Sequence, residues 1–379
     1  MNTDIHIYPV TNRRALKRFI DFPYELYKNN PYWVPPLRRD QAFLLNPKKN
    51  PFYEHGDIQP FLAENARGEI VGRIAAIVNG MHLRKYNDAN GFFGFFEVIE
   101  DYEIAHRLFD TAKEWLQQRN LQGMRGPTNP SMNDVSGLLV EGFDREPSIL
   151  MPYNPPYYED FLLRYGFKRA MTMWAYYLHK KYVNLERIER GVRLIHRRYP
   201  GLKLRKVDMS RFEEEARLIV DIYNDAWSEN WGFVPMTDKE FEQLAKEFKP
   251  IVDPNIVFIL EWNGEPVGMS VSLPNFNQVL KRIKDGRLTP GNLAQLLFRT
   301  QFCGINEART ALMGIKKKYQ GRGFDVILNH ATIIEGPKHG YDAAEMSWVL
   351  DVNKRLINEL EHLNSVKDKQ YALYELRFA

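Results

Sequence analysis

The segment Lys316-Lys-Lys-Tyr-Gln320-Gly-Arg-Gly323-Phe-Asp325 combines residue types that do chemistry together. Gly321 and Gly323 let a main chain approach a ligand closely. Free amides at a helix start, the positive end of the helix dipole and Arg322 suit an anion of the diphosphate kind. The spacing is not that of a Walker loop, which needs a longer glycine interval and a Lys-Ser/Thr end, nor that of the dinucleotide fingerprint. A solvated glycine turn with a basic flank has the same letters, so these residues alone leave both readings open.

The elements that must hold such a turn are written around it. Arg309 to Lys316 predicts a strand, Asp325 to Lys338 a helix, Ala344 to Leu350 a strand, Asn353 to Leu363 a helix and Tyr371 to Phe378 a closing strand. Upstream lie helices over 211–228 and 238–248. A hairpin over 257–273 turns at Asn263-Gly264, a pair that tolerates the positive φ of a type I′ turn. The first half predicts the same order: a helix over 12–27, a hairpin over 61–79, a run over 91–98, a helix over 101–119 and strands over 122–126 and 171–178. Asp21, Tyr27, Asn30, Val34 and Pro35 recur as Asp221, Trp227, Asn230, Val234 and Pro235. Likewise Gly68-Glu-Ile-Val-Gly72 recurs as Gly264-Glu-Pro-Val-Gly268. Two signals repeated in one order imply two copies of one domain. Hairpins mixed with crossover helices imply a mixed α/β sheet.

Composition agrees with two cores: 379 residues, 44% hydrophobic and 26% charged, exceed what one core supports. The longest apolar runs are too short for a bilayer and the first residues lack signal-peptide character, so no membrane span and a cytoplasmic home are expected. Cys303, the only cysteine, excludes an internal disulfide and is expected as a free buried thiol. Basic residues concentrate from Lys180 to Lys206 on a helix with Asn184 as N-cap; no aromatics alternate with them, which argues for a solvated face and against nucleic acid. An insertion, Asn275 to Asn306, holds two amphipathic pieces suited to packing or to an apolar wall. Asn129, Asn133, Tyr153, Asn154 and Tyr157 stand in proline-rich loops, which suit ligand recognition and tight turns equally.

Gln320-x-x-Gly323 between a strand and a helix resembles the acetyl-CoA signature of the GNAT acetyltransferase superfamily, Gln/Arg-x-x-Gly-x-Gly/Ala. Trp348-Val-Leu-Asp-Val-Asn353 is similar to that family's next strand and the asparagine opening its following helix. Tyr158-Glu-Asp-Phe-Leu-Leu-Arg-Tyr-Gly166-Phe167 is similar to its closing helix-to-strand motif. The resemblance implies two tandem GNAT-like domains, 1–180 and 181–379, each a mixed, mainly antiparallel sheet flanked by helices. It implies acetyl-CoA or another acyl-CoA as co-substrate in the second copy, none in the first, and no metal. An amide near Gly314 or Ile315 would polarise the thioester carbonyl. The amides of Gln320, Gly321, Arg322, Gly323 and Phe324 would hold the pyrophosphate, with Asn353 beside it. A small-molecule or amino-acid-like amine would attack directly.

Three positions depart from the pattern. Asp325 stands where the family has its last Gly/Ala, Leu360 where many members have a proton-donating tyrosine, and the first copy has Gly94-Phe-Phe-Glu97 before its helix instead of the signature. Glu345 on its strand is the candidate base and Tyr374 a replacement acid, although each residue type in a strand also fits a charge pair or plain packing. His330 and His339 lack metal-ligand spacing. The expectation is an acyl-CoA-dependent N-acyltransferase; a catalytically silent GNAT-like binding protein is the alternative, and a homodimer stays open.

Overall fold

The computed structural model describes residues 5–302 and 304–378; Cys303 lies outside the described residues. In chain order the first half contains β1 (His6–Pro9), α1 (Arg13–Leu26), α2 (Arg38–Leu44), β2 (Gly56–Glu64), β3 (Ile70–Asn79), α3 (Gly80–Tyr86), β4 (Asn90–Val98), α4 (Tyr102–Gln117), β5 (Gly123–Gly126), β6 (Thr128–Asn129), β7 (Val135–Ser136), β8 (Leu138–Glu141), α5 (Tyr157–Tyr165) and β9 (Lys168–His179). The second half contains α6 (Leu185–Arg198), β10 (Leu202–Lys206), α7 (Phe212–Trp227), α8 (Asp238–Phe248), β11 (Val257–Trp262), β12 (Glu265–Pro274), α9 (Asn277–Leu280), α10 (Pro290–Phe302), β13 (Glu307–Ile315), α11 (Phe324–Lys338), β14 (Ala343–Leu350), α12 (Lys354–His362) and β15 (Val366–Arg377).

Two compact units form, and they are not the contiguous stretches 1–180 and 181–379. The first takes the chain up to Thr172, Val279–Leu297 and the residues from Lys369 on; the second takes Met173–Gln278 and Phe298–Asp368. Ladder partners explain the exchange. The last strand, β15, pairs antiparallel with β5 (Tyr374↔Gly126), whereas β14 pairs antiparallel with the later part of β9 (Ala343↔His179). Alternating apolar residues announce a strand but do not name its neighbour.

In the first unit β1, β2, β3 and β4 follow one another antiparallel, and β4 meets β5 in parallel. A parallel pair needs a crossover, which α4 supplies. Its Ile104, Leu108, Ala112 and Leu116 recur every four residues and bury one stripe with Ile74 and Ala76, while Ala75 and Ile77 of the same strand face Phe19 and Ile20 of α1. That is the twofold alternation of a strand.

The second unit repeats the plan: β10, β11, β12 and β13 are antiparallel neighbours, and β13 meets β14 in parallel across α11. Phe324, Ile327, Leu328 and Ala331 of α11 are buried with Phe258, Leu260 and Val267. Burying a side chain such as Leu328 completely stabilises the unit by about 1.5–3 kcal/mol. Asn263 and Gly264 turn the β11–β12 hairpin at φ 52° and 83°. In the insertion, Val279 and Ile283 are buried, and Arg38 donates to the carbonyls of Asp285 and Gly286. Packing is the role observed there.

Candidate active site

β13 and β14 run side by side only from Glu307↔Ala343 to Thr310↔Met346. Beyond that pair β13 continues to Ile315 and β14 to Leu350 without pairing to each other, so a wedge opens between them. On its other edge β13 carries an extra residue, Ala311, between the pairs Ser272↔Thr310 and Val271↔Leu312. Such a bulge re-aims the side chains that follow. Gly314 is thereby brought under α7, where a β-carbon would overlap the ring of Trp227.

The amide directions follow from one bond. Lys316 N–H donates to Val267 O at 2.8 Å, and Ile315 pairs with Gly268 in the same ladder. Antiparallel alternation then turns the N–H and C=O of Ile315 away from β12 and into the wedge. The Ile315 carbonyl does point that way, because the Gln320 side-chain amide donates to it at 3.0 Å. Between the two expected positions, Ile315 and not Gly314 presents the amide.

The glycine turn follows at once. Lys317 N–H is taken by Asp225 at 2.6 Å and Gln320 N–H by the Lys317 carbonyl at 3.2 Å. The amides of Gly321, Arg322, Gly323, Phe324 and Asp325 have no partner among the described residues. Gly321 and Gly323 hold φ values of 78° and 80°, and Gly323 is the N-cap of α11 with no side-chain cap. Five unused donors at the start of a helix of 15 residues form an anion cradle. The Arg322 guanidinium lies 4.9 Å from the Trp262 ring centroid, an arrangement that fixes it beside the turn. Asp325 does not obstruct the cradle: Arg355 donates to its carboxylate at 3.1 Å. Asn353 is spent as the N-cap of α12, accepting from Leu356 N–H at 3.2 Å.

An apolar cavity of about 60 Å³ lies against the wedge, lined among others by Thr310, Met313, Met346, Ile333, Leu360 and Leu363. Leu360 is 2% exposed and places a branched alkyl group where the resemblance implies a phenol. On the other face of the strands, Glu345 accepts from Ser347 Oγ at 2.8 Å, and the Arg309 guanidinium donates to the same hydroxyl at 2.9 Å. All three are buried. Behind the turn, Glu359 accepts from Asn329; burial and then the neighbouring Asp325 push its carboxyl up to about 8.

The first unit occupies the corresponding wedge amide with its own side chains. Register equates Val98 with Ile315, since Val98 pairs with Gly72 as Ile315 pairs with Gly268. Val98 N–H donates to the Tyr158 hydroxyl at 2.8 Å, and Tyr157 donates to the Val98 carbonyl at 2.8 Å. Phe95 N–H, at the bulge of β4, is taken by Asn129 Oδ1 at 2.6 Å. Glu97, at the register position of Gly314, accepts from Tyr27 at 2.6 Å and Tyr158 at 2.8 Å, and burial raises its pKa. The start of α4 is capped by the Asp101 carboxylate. Asn154 brackets Leu139 through its N–H and C=O, so these loop residues hold turns. Tyr153 is likewise engaged, donating to the Phe143 carbonyl at 3.1 Å.

Tyr374, the replacement acid expected from sequence, belongs to the first unit, where its buried hydroxyl donates to Glu159, itself paired with Arg169. Burial and that carboxylate raise its pKa. The structure gives it a packing role in a different unit from the glycine turn. His339 lies 3.8 Å from Glu335, and burial lowers the pKa of His330. Among the described residues no three His, Cys, Asp or Glu side chains are disposed to hold a metal ion, and no helix is long and apolar enough to cross a membrane.

No protein-family model matches the chain. The chain is 37% identical over 383 residues to the bacterial ceramide synthase of Caulobacter vibrioides, covering 99% of this chain and 98% of that protein. It is 33% identical over 368 residues to the protein YghO of Escherichia coli, covering 96% and 93%. Among solved structures it is similar to a tandem GNAT protein from the clavulanic acid biosynthesis pathway, with TM-score 0.58, 11% identity and coverage of 99% and 98%. It is also similar to a conserved protein of unknown function from Enterococcus faecalis, described as a probable N-acyltransferase, with TM-score 0.50, 9% identity and coverage of 99% and 73%. At these identities the solved structures speak for the fold, and the two sequence relatives for descent. The chain belongs to the family that contains the Caulobacter bacterial ceramide synthase and YghO, and it has the fold of a tandem GNAT protein.

Proposed function

We propose that this protein is an acyl-CoA-dependent N-acyltransferase whose donor site is the wedge and glycine turn of the second unit, and whose acceptor is the amine of a lipid-like molecule. One observation carries the choice of unit: Ile315 N–H faces the wedge, whereas its counterpart Val98 N–H is already bonded to Tyr158. The free amides from Gly321 to Asp325 fit a diphosphate, and Ile315 fits the thioester oxygen. The apolar lining of the cavity and the similarity to a bacterial ceramide synthase both support a lipid-like substrate.

A neutral amine nitrogen attacks the thioester carbon; the C–N bond forms, the C–S bond breaks, and the proton shed by nitrogen balances the one gained by the departing thiolate. Negative charge collects on the carbonyl oxygen as the nitrogen adds. A preorganised donor at Ile315 meets that charge, and losing one such donor lowers the rate by about 10²- to 10³-fold. Glu345 is the base assigned to the amine proton, held by Ser347 beside Arg309.

Calorimetry and thiol release test this. The wild-type chain binds long-chain acyl-CoA and releases thiol when a long-chain amine is added, and Gly323→Glu removes the binding by placing a carboxylate in the cradle. Unchanged binding in Gly323→Glu removes the site assignment. Leu360 in place of a phenol favours a second reading, a silent binding protein, which takes up donor and releases no thiol.

A further inference from the structure

Helix α6 has two faces of different character. Ile188, Val192 and Ile195 turn inward, with Ile195 against Gly323 and Gly191 against Val326, at the start of α11. On the opposite side Arg187, Arg190, Arg197 and Arg198 surround Leu194 at helical spacing, and Leu194 is 53% exposed. Glu186 meets Arg190 at 3.3 Å and Glu189 meets Arg193 at 3.6 Å. Arg187 and Arg197 have no carboxylate partner among the described residues. Before the helix start stands Tyr182, 67% exposed, whose carbonyl accepts from Asn364 at 2.9 Å.

Unpaired arginines around an exposed leucine match an anionic lipid surface, where the cations meet headgroups and Leu194 leaves water for the acyl boundary, with Tyr182 at the start of the helix. A polynucleotide would satisfy the arginines and leave Leu194 in water. Position adds a reason: Lys180 and Val183, immediately before α6, line the apolar cavity. The geometry points to the outer face of α6, with Tyr182, as a docking surface for anionic membrane. Docking there sets the cavity beside the phase in which lipid-like substrates dissolve.

Sedimentation of the full chain with vesicles tests this without donor or acceptor, so its outcome is separate from that of the acyl-transfer reading. The protein binds mixed phosphatidylcholine/phosphatidylglycerol vesicles, leaves pure phosphatidylcholine vesicles in solution, and is released by salt. Each arginine at such a surface changes partitioning about fivefold, so Arg187→Gln with Arg197→Gln lowers it about 25-fold. Leu194→Ser also lowers it. Circular dichroism shows both variants folded, because the substituted groups are exposed. Equal binding to neutral vesicles, no vesicle binding, or wild-type binding by the double variant overturns the proposal. Duplex DNA binding that ignores Leu194→Ser, with vesicles unbound, overturns it in favour of nucleic acid.

Discussion

Replacing Glu359 by Gln raises stability at pH 8 and leaves it nearly unchanged at pH 5. Burial and Asp325 push this carboxyl up from 4.5 to about 8, so between those values the folded chain holds a proton that the unfolded chain has released. The sign follows from linkage: a pKa raised on folding contributes stability that is present in full below pH about 4.5 and is lost as pH rises towards 8. Taken alone, the whole span corresponds to about 5 kcal/mol. The span is discounted because Glu359 stands against a second carboxylate, and roughly 2 kcal/mol is the working figure between pH 5 and pH 8. Glutamine keeps the acceptor for Asn329 and offers Asp325 a permanent donor, and therefore copies the protonated state. For a unit of this size that corresponds to a Tm about 4–8 °C above wild type at pH 8. Thermal melts of both proteins across that range measure it. Parallel pH profiles for Glu359→Gln and wild type refute a buried proton at this position.

Leu360→Phe fills part of the apolar cavity, so selectivity moves towards shorter acyl donors. Each methylene denied its burial is worth about 0.8 kcal/mol, close to fourfold in kcat/KM, and an unshifted chain-length profile separates the cavity from the donor. Glu345→Gln keeps the contact with Ser347 but removes the base: kcat falls about 10²- to 10⁴-fold with the donor affinity retained. A kcat within twofold of wild type reduces Glu345 to a counter-ion for Arg309.

The strand before the turn, helix α11 and the Asn263-Gly264 hairpin were legible because apolar period and turn chemistry are local. The glycine turn was legible for the same reason, since the conformations of Gly321 and Gly323 and the missing cap need only neighbouring residues. Orientation was not. Asp325 read in sequence as a departure from the family's last Gly/Ala, yet a partner 30 positions away, Arg355, draws its carboxylate elsewhere. Tyr374 read as a possible acid because nothing in its own strand reveals that β15 joins the first unit and meets Glu159. The bulge at Ala311 left no mark, since alanine fits a regular ladder equally well. The silencing of the first copy was half visible: the absent signature could be read, but Tyr158 reaching Val98 N–H spans 60 positions.

The partnership of β15 with β5 also governs the birth of the molecule. The first unit waits for residues from Lys369 on, so a growing polypeptide leaves the ribosome with β5 still lacking its neighbour until that late strand has been made. Severing the gene near codon 180 would give one fragment without its finishing strand and another carrying a strand that belongs elsewhere, and supplying the two fragments together is the sensible way to recover either.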